Sequence, residues 1–308
     1  MSEGSVRPRV AVLLAAYQGA GHLDDQLSSL FWQNGVDLHV FARDDGSRDE
    51  TGTILRRHAS ARPDRVSIVT DDTGSTGSAT GNFFSLLRHS DFAGFDYVAL
   101  ADQDDVWMPD KLARAVTQLA AHRADGYSSD LIAYHEGENR SWMLRKAGSP
   151  AAHDYLFQGA SAGCTYVLTT KAARLVATQL SQLEVPLCPG ASHDWIIYAI
   201  CRSHGLDWVR DPTSRILYRQ HANNVYGALP GLGGIGAKAR MVRDKWYRAH
   251  ILWLTHVIAN RPDEAEILRA VAVRGISNRI RLARRANELR RTPRDAALLR
   301  LALLTGLF

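Results

Sequence analysis

Cysteine is scarce in this chain of 308 residues. The three present, Cys164, Cys188 and Cys201, are widely spaced and form no CxxC pair. An odd count at such spacing excludes a disulfide framework and a thiolate zinc site, and leaves the thiols as reduced, mostly structural groups. Long apolar runs are lacking as well. Val10 to Tyr17 is too short to cross a bilayer, and with the polar MSEGSVRPR before it there is no signal-peptide layout, so the expected location is the cytoplasm. Gly19, Ala20 and Gly21 are only a fragment of a dinucleotide fingerprint, and neither GxxxxGK[ST] nor GxSxG occurs. Hydride transfer, P-loop chemistry and a serine-hydrolase elbow drop out.

What is present suits a soluble globular chain. Hydrophobic residues make up 45% of the chain, enough for one sizeable core or a large domain with a smaller appendage. The net charge of +5 is uneven, because Arg274, Arg279, Arg281, Arg284, Arg285, Arg290, Arg291, Arg294 and Arg300 gather near the end. Such a tail reads as a nucleic-acid contact, an anionic membrane contact or a solvated helix face. It has no RNA-binding signature and no aromatic platform, so nucleic acid is not an expected partner.

The order of elements points to an α/β fold. Arg9 to Ala16 is a near-continuous apolar run, as in a strand covered on both faces, and Leu23, Leu27, Leu30 and Phe31 then form a helical stripe. Val36 to Ala42 is a second strand ending in Asp44 and Asp45; a helix from about Asp49 and a strand over Val66 to Val69 follow. Repeated β-α-β units imply a mostly parallel, Rossmann-like sheet flanked by helices. Asp71 to Gly81 is a loop, Asn82 to Leu87 a helix, and Tyr97 to Leu100 another strand. Ala124 to Ala152 has no assignable pattern, whereas Thr165 to Leu168 reads as a strand and Lys171 to Leu183 as a helix. A helix opens near Trp195. The expected domains are residues 1–228 and, beyond the flexible Gly231 to Gly236, a helical, Arg-rich region over 229–308, with Trp246, His250, Trp253, Leu254 and Val257 on one stripe.

The stretch ALADQDDVWMPDKL holds the densest chemistry. Three carboxylates, Asp102, Asp104 and Asp105, crowd one strand end, where open α/β sheets bind ligands. Solvent, a raised pKa or a bound cation relieves such repulsion. The plainer alternative is that Asp104 or Asp105 caps the helix that Pro109 opens. In a parallel sheet the ends at Asp44 and Asp102 face one crevice.

The series VAVLLAAYQG, ARDDGSRDET, ALADQDDVWMPDKL, GASAGCTYVLTTKA, SHDW and LYRQHANNVYG, in this order over residues 8–227, resembles glycosyltransferase family 2, particularly its bacterial rhamnosyltransferase-like members. The resemblance implies a GT-A fold and an inverting transfer from a UDP- or dTDP-sugar, rhamnose or another hexose, to a saccharide, lipid-linked or small-molecule acceptor hydroxyl. It also implies a divalent metal, Mg²⁺ or Mn²⁺. Asp102 and Asp104 would be the DxD pair, with Asp104 the direct metal ligand and Asp102 near the ribose and metal. Ala16, Tyr17, Gln103 and Asp44 or Asp45 would line the nucleotide-sugar site, one of the two acids bonding the base. Arg219 would contact the diphosphate, and His221 would be a further metal or diphosphate ligand, or else a polar residue tying down a loop. Asp194 would be the catalytic base, although its position also suits a helix cap; His193 would orient it or serve structure. YRQH stands where related enzymes often carry QxxRW, which fits non-processive transfer.

Two alternatives have different chemistry. A sugar nucleotidyltransferase shares such a sheet and acidic site but needs a basic phosphate loop, which Tyr17 to His22 does not provide. A binding module would use the basic tail, and peripheral attachment at the inner face of the cell membrane is the version that Arg-rich helices beside apolar stripes favour.

Overall fold

Strand β1 (Arg9–Ala16) takes up the first apolar run, and every residue after Arg9 in it is buried. The computed structural model describes residues 7–72, 74–220, 246–273 and 275–308. Helix α1 (Leu23–Phe31) follows, burying Leu23, Leu27 and Leu30. Next come β2 (Asp37–Asp44), α2 (Thr51–Ala61), β3 (Val66–Ile68), α3 (Ala79–His89), β4 (Tyr97–Asp102), the short β5 (Val106–Trp107) and α4 (Lys111–His122). The stretch without a sequence pattern supplies β6 (Gly126–Ser129), β7 (Leu131–His135) and β8 (Arg140–Leu144). Then follow β9 (Val167–Thr169), α5 (Thr170–Ser181), α6 (His193–Ser203), β10 (Trp208–Asp211) and β11 (Ile216–Gln220).

The main sheet has the order β10-β6-β9-β4-β1-β2-β3. All its pairs are parallel except those that β9 makes with β4 and β6. The second sheet has the order β5-β11-β7-β8. A core of Val10, Val12, Leu14, Leu27, Val40 and Leu112, among others, is sealed between the main sheet and its helices. Each such side chain contributes about 1.5–3 kcal/mol by leaving water. This α/β architecture is the mostly parallel sheet that the β-α-β order predicts.

The chain divides into two compact units. Both sheets lie in the first, whose described residues fall within 7–147, 161–181 and 206–220; the second holds 148–160, 182–205 and 246–308. In the second unit α6 is joined by α7 (Trp246–Trp253), α8 (Pro262–Ala272), α9 (Ile276–Arg284), α10 (Ala286–Leu289) and α11 (Pro293–Thr305). The 228/229 boundary and the Gly231–Gly236 link lie outside the described residues. Among the described residues no helix is long and apolar enough to cross a membrane.

Candidate active site

The parallel register puts two acidic strand ends beside one apolar one. β1 lies between β4 and β2, with Ala16 opposite Asp44 and Ala15 opposite Asp102. Both acids therefore emerge at the carboxyl edge of the sheet, flanking the loop that leaves β1, which is the ligand-binding edge of open α/β sheets.

At the β2 end the two adjacent aspartates have unlike surroundings. Asp45 is buried and accepts from Arg43 Nη1 (2.8 Å), Thr76 N (2.7 Å), Thr76 Oγ1 (3.0 Å) and Gly77 N (2.9 Å). Its lone pairs are committed to the 74–78 loop. Asp44 is half-buried, and its Oδ1 accepts from Ser47 N (3.1 Å) and the Ser47 hydroxyl (2.5 Å). Gly46 between motif and turn takes φ +85°, a left-handed backbone where a side chain is costly. Two residues not singled out in the sequence brace this corner. Arg43 also pairs with Asp71 (2.9 Å) and donates to Gly74 O, while Asn82 Nδ2 donates to Ala16 O (3.1 Å) and Arg43 O (3.3 Å), tying the ends of β1 and β2 together. Arg43 adjoins the acidic motif, so its place in the sequence was a signal; Asn82, inside a helix, gave none.

The loop after β1 is held from two sides. Gln18 N donates to Ser47 Oγ (2.9 Å), Gly19 N to Thr51 Oγ1 (2.8 Å) and Ala20 N to Asp49 Oδ2 (3.0 Å), so the polar residues of DDGSRDET serve as its scaffold. Just past β4, Gln103 exchanges two hydrogen bonds with the Tyr17 main chain. Tyr17 itself is 54% exposed. Ala16 is buried, and its carbonyl accepts from Asp45 N as well as from Asn82.

Asp102 and Asp104 are half-buried, whereas Asp105 is wholly buried. The helix-cap alternative for Asp104 and Asp105 does not hold. α4 starts at Lys111 with Asp110 at its N-cap, and β5 intervenes because Val106 and Trp107 pair with β11. Asp105 instead faces inward, and burial, followed by the charges of Asp104 and Asp102, pushes its carboxyl well above the usual range. Its Oδ1 accepts from Arg219 N (3.3 Å); its Oδ2 has no hydrogen-bond partner among the described residues. Close by, Lys111 is buried with its Nζ 3.3 Å from the centre of the Trp107 ring, and burial lowers its pKa to about 7.

Ligand atoms of Asp102, Asp105 and Cys164 lie within 4.8 Å of one another. Burial holds the Cys164 thiol protonated, with Asp105 and Asp102 adding to the effect, so it is no ligand for a hard cation. The carboxylates of Asp102 and Asp104 are the donor set that suits Mg²⁺ or Mn²⁺. Arg219 braces this end: Nε donates to Asp104 O (3.0 Å), Nη1 to Glu136 (2.9 Å) and Nη2 to Asp25 (3.1 Å). Its guanidinium is thus joined to three partners of its own unit.

In the second unit, Asp194 stands in the first turn of α6, with Ser192 at the N-cap. Its Oδ1 accepts from the Ser192 hydroxyl and from Trp195 N (2.7 Å). Asp194 is therefore not the cap of α6 but an acid within its first turn, and it is half-buried. Burial lowers the pKa of the adjacent His193, against the pull of Asp194, and favours its neutral form. His221 lies outside the described residues.

The profile described as Glycosyl transferase family 2 matches residues 11–172, from β1 through the start of α5. The chain belongs to glycosyltransferase family 2. It is a glycosyltransferase, and its fold is GT-A. Over 295 residues it is 30% identical to the dTDP-rhamnosyl transferase RfbG of Shigella flexneri, an alignment that covers 96% of this chain and all of the relative. It is also 30% identical over 152 residues to the succinoglycan biosynthesis protein ExoW of Rhizobium meliloti, covering 46% of each chain. Among solved structures, S. aureus TarS 1-349 in complex with UDP aligns with a TM-score of 0.59 at 12% identity, covering 97% of this chain and 86% of that one. The mannosyltransferase PcManGT of Pyrobaculum calidifontis, in complex with GDP-Man and Mn²⁺, aligns with a TM-score of 0.50 at 18% identity, covering 98% and 86%. Across the family-matched region, the acidic ends of β2 and β4 stand at the carboxyl edge of the sheet.

Proposed function

We propose that this glycosyltransferase moves a hexosyl unit, a rhamnosyl unit first among the candidates, from a dTDP- or UDP-sugar to an acceptor hydroxyl of a saccharide, lipid-linked or small-molecule acceptor, with inversion. The observation that carries the reading is the emergence of Asp44, opposite Ala16, and Asp102, opposite Ala15, on either side of the end of β1. The full-length similarity to a dTDP-rhamnosyl transferase supports the choice of donor.

Asp44, rather than the saturated Asp45, is the acid assigned to the base of the nucleotide, alongside Ala16, Tyr17 and Gln103. Asp104 and Asp102 would hold a divalent cation, as the family resemblance first suggested. Bound there, a hard cation stabilises the negative charge that gathers on a departing diphosphate. Arg219 is assigned to keep the Asp104 main chain in place, its guanidinium being shared with Glu136 and Asp25. Asp194 is the base: it accepts the proton of the acceptor hydroxyl as the new bond forms at the anomeric carbon and the bond to the diphosphate breaks, releasing the nucleoside diphosphate.

The test is a thermal-shift series with dTDP-rhamnose, UDP-glucose and GDP-mannose, each with Mn²⁺ and with EDTA. Dose-dependent stabilisation by dTDP-rhamnose in Mn²⁺, lost in EDTA and in Asp104→Ala, is expected, because a ligand of the native state raises its stability by mass action. Binding unaffected by EDTA and by Asp104→Ala removes the metal from the reading. Stabilisation by GDP-mannose alone removes the proposed donor.

A second inference concerns location, and we place the protein at the cytoplasmic face of the membrane. Leu298, Leu301 and Leu304 are exposed on α11, where Arg294 is also exposed, a combination that fits peripheral contact with anionic lipid.

A further inference from the structure

Helix α7 carries Trp246, His250 and Trp253 four and three residues apart, hence on one face. Each reaches the segment 186–190, which lies in no helix or strand. Trp253 Nε1 donates to Pro186 O (2.9 Å), Trp246 Nε1 donates to Pro189 O (3.0 Å), and His250 Nδ1 lies 3.4 Å from Cys188 Sγ. Carbonyls outside regular structure need such partners. Gly190 has φ +69°, and a Cβ on it would come within 2.7 Å of Trp246 Nε1, so the indole rests against bare backbone.

Four residues after Gly190 the chain reaches Asp194, and the same helix acts again just beyond it. His250 stacks on Trp195 with 4.2 Å between ring centres, flanked by Tyr247 at 5.3 Å and Trp246 at 6.0 Å. On its other contacts, Trp195 Nε1 donates to Tyr155 O (2.7 Å), and a Cβ on Gly159 would approach Trp195 Cα to 3.3 Å. The main-chain N–H of this immobilised tryptophan donates to Asp194 Oδ1.

We propose that α7 is a clamp that positions Asp194: Trp246 and Trp253 fix the backbone entering α6, and His250 couples that backbone to Trp195 on the far side of the carboxylate. The clamp presumes the assignment of Asp194 as base made above. Trp246, His250 and Trp253 are positioning residues, and the helical region after the family-matched segment becomes part of the catalytic apparatus. A base misplaced by about 1 Å loses on the order of a hundredfold in rate, so a carboxylate at a loop-to-helix junction gains from such support. The clamp is also electrically neutral in the working range, since burial takes His250 down to about 3 and the Cys188 thiol up to about 11.

Trp246→Phe and Trp253→Phe keep an aromatic ring and remove one N–H donor each, and His250→Phe keeps the stack and removes the Cys188 contact. In the full chain, hydrogen–deuterium exchange is followed over peptides spanning residues 186–196, together with turnover of dTDP-rhamnose in Mn²⁺ and the melting temperature. The expected result is faster exchange confined to that segment and kcat lowered tenfold or more, with the donor KM within twofold of wild type. Asp194→Asn separates the two ideas. If it remains active, the base assignment fails, whatever the exchange shows. If it is inactive while the three phenylalanine variants retain wild-type exchange and kcat, the clamp is overturned. Should dTDP-rhamnose not turn over, the exchange arm alone decides. A variant whose melting temperature collapses is set aside for the other two.

Discussion

Gln103 and Tyr17 form a closed pair: Tyr17 N donates to Gln103 Oε1 at 2.6 Å and Gln103 Nε2 donates to Tyr17 O at 2.7 Å. One side chain thereby satisfies both main-chain groups of the residue that leaves β1 for the site. The second residue of DQDD is thus a link between two site loops. Net hydrogen bonds of this kind contribute about 0.5–1.5 kcal/mol each. Gln103→Ala should lower stability by about 1–2 kcal/mol in chemical denaturation and weaken nucleotide-sugar affinity several-fold in calorimetry, because Tyr17 loses its anchor. Gly19→Ala attacks the same joint, since a Cβ there would collide with Gln103 Oε1. Wild-type affinity in both variants would mean that the pair has no bearing on the donor.

Asp44 and Asp45 should separate stability from binding. Asp45→Ala removes four accepted hydrogen bonds and leaves buried Arg43 short of one carboxylate, the kind of break that costs about 3–5 kcal/mol. Asp44→Ala removes only a local turn to Ser47, at about 1 kcal/mol, but should abolish most nucleotide binding. Urea denaturation and titration with dTDP check the pair. A reversed pattern would move the base contact to Asp45.

The strands and helices that build the sheet were legible because their signals are local. β1 is an unbroken apolar run, and α4 repeats Leu112, Ala115 and Leu119 at helical spacing. The stretch 124–152 was illegible for a physical reason: β6 reads Gly-Tyr-Ser-Ser, and those residues are buried through pairing with β9 and β10, partners far off in sequence. Likewise the acids of DQDD announced a site, but nothing local told that Asp105 would be wholly buried beside Lys111 and Cys164 while Asp102 and Asp104 stayed half-buried. The division between Asp44 and Asp45 depends on the 74–78 loop, which the sequence marked only as a loop. The stripe of Trp246, His250 and Trp253 was visible as periodicity; its attachment to 186–190 was not.

His250 gives the fold a specific acid sensitivity. Buried and neutral, it has a pKa near 3 against an ordinary 6.5, and burial is the cause. The unfolded chain therefore binds a proton that the native chain refuses, throughout the window between these values. Stability from this residue is intact above pH 6.5 and falls as the pH is lowered towards 3, by up to about 1.4 kcal/mol per unit. Urea midpoints at pH 7.0 and 5.0 should show wild type losing about 2 kcal/mol more than His250→Phe. An equal loss in the two proteins would show that His250 accepts its proton in the folded state.

Helix α11 is apolar on both sides. Ala296 and Leu303 face inward, while Leu298, Leu301 and Leu304 are exposed, with Leu307 just beyond the helix. Leucines repeated on an exposed helix face are normally covered, so this outer face calls for an occupant. Arg300 Nε donates to Ala283 O, and a Cβ on Gly306 would meet Arg279, so α9 runs beside it and adds exposed Ile276, Ile280, Arg281 and Arg284. A second copy on this face would bring like-charged arginines together, whereas anionic lipid complements them; each arginine near such a surface contributes about 1 kcal/mol. Wild type should therefore cosediment with phosphatidylglycerol-containing vesicles at low salt and much less with pure phosphatidylcholine. Leu301→Glu combined with Leu304→Glu should reduce that binding at least tenfold while leaving dTDP-rhamnose affinity unchanged. Equal partitioning of wild type and variant would exclude the membrane, and dimers of the wild type dispersed by the same two changes would assign the face to a second copy instead.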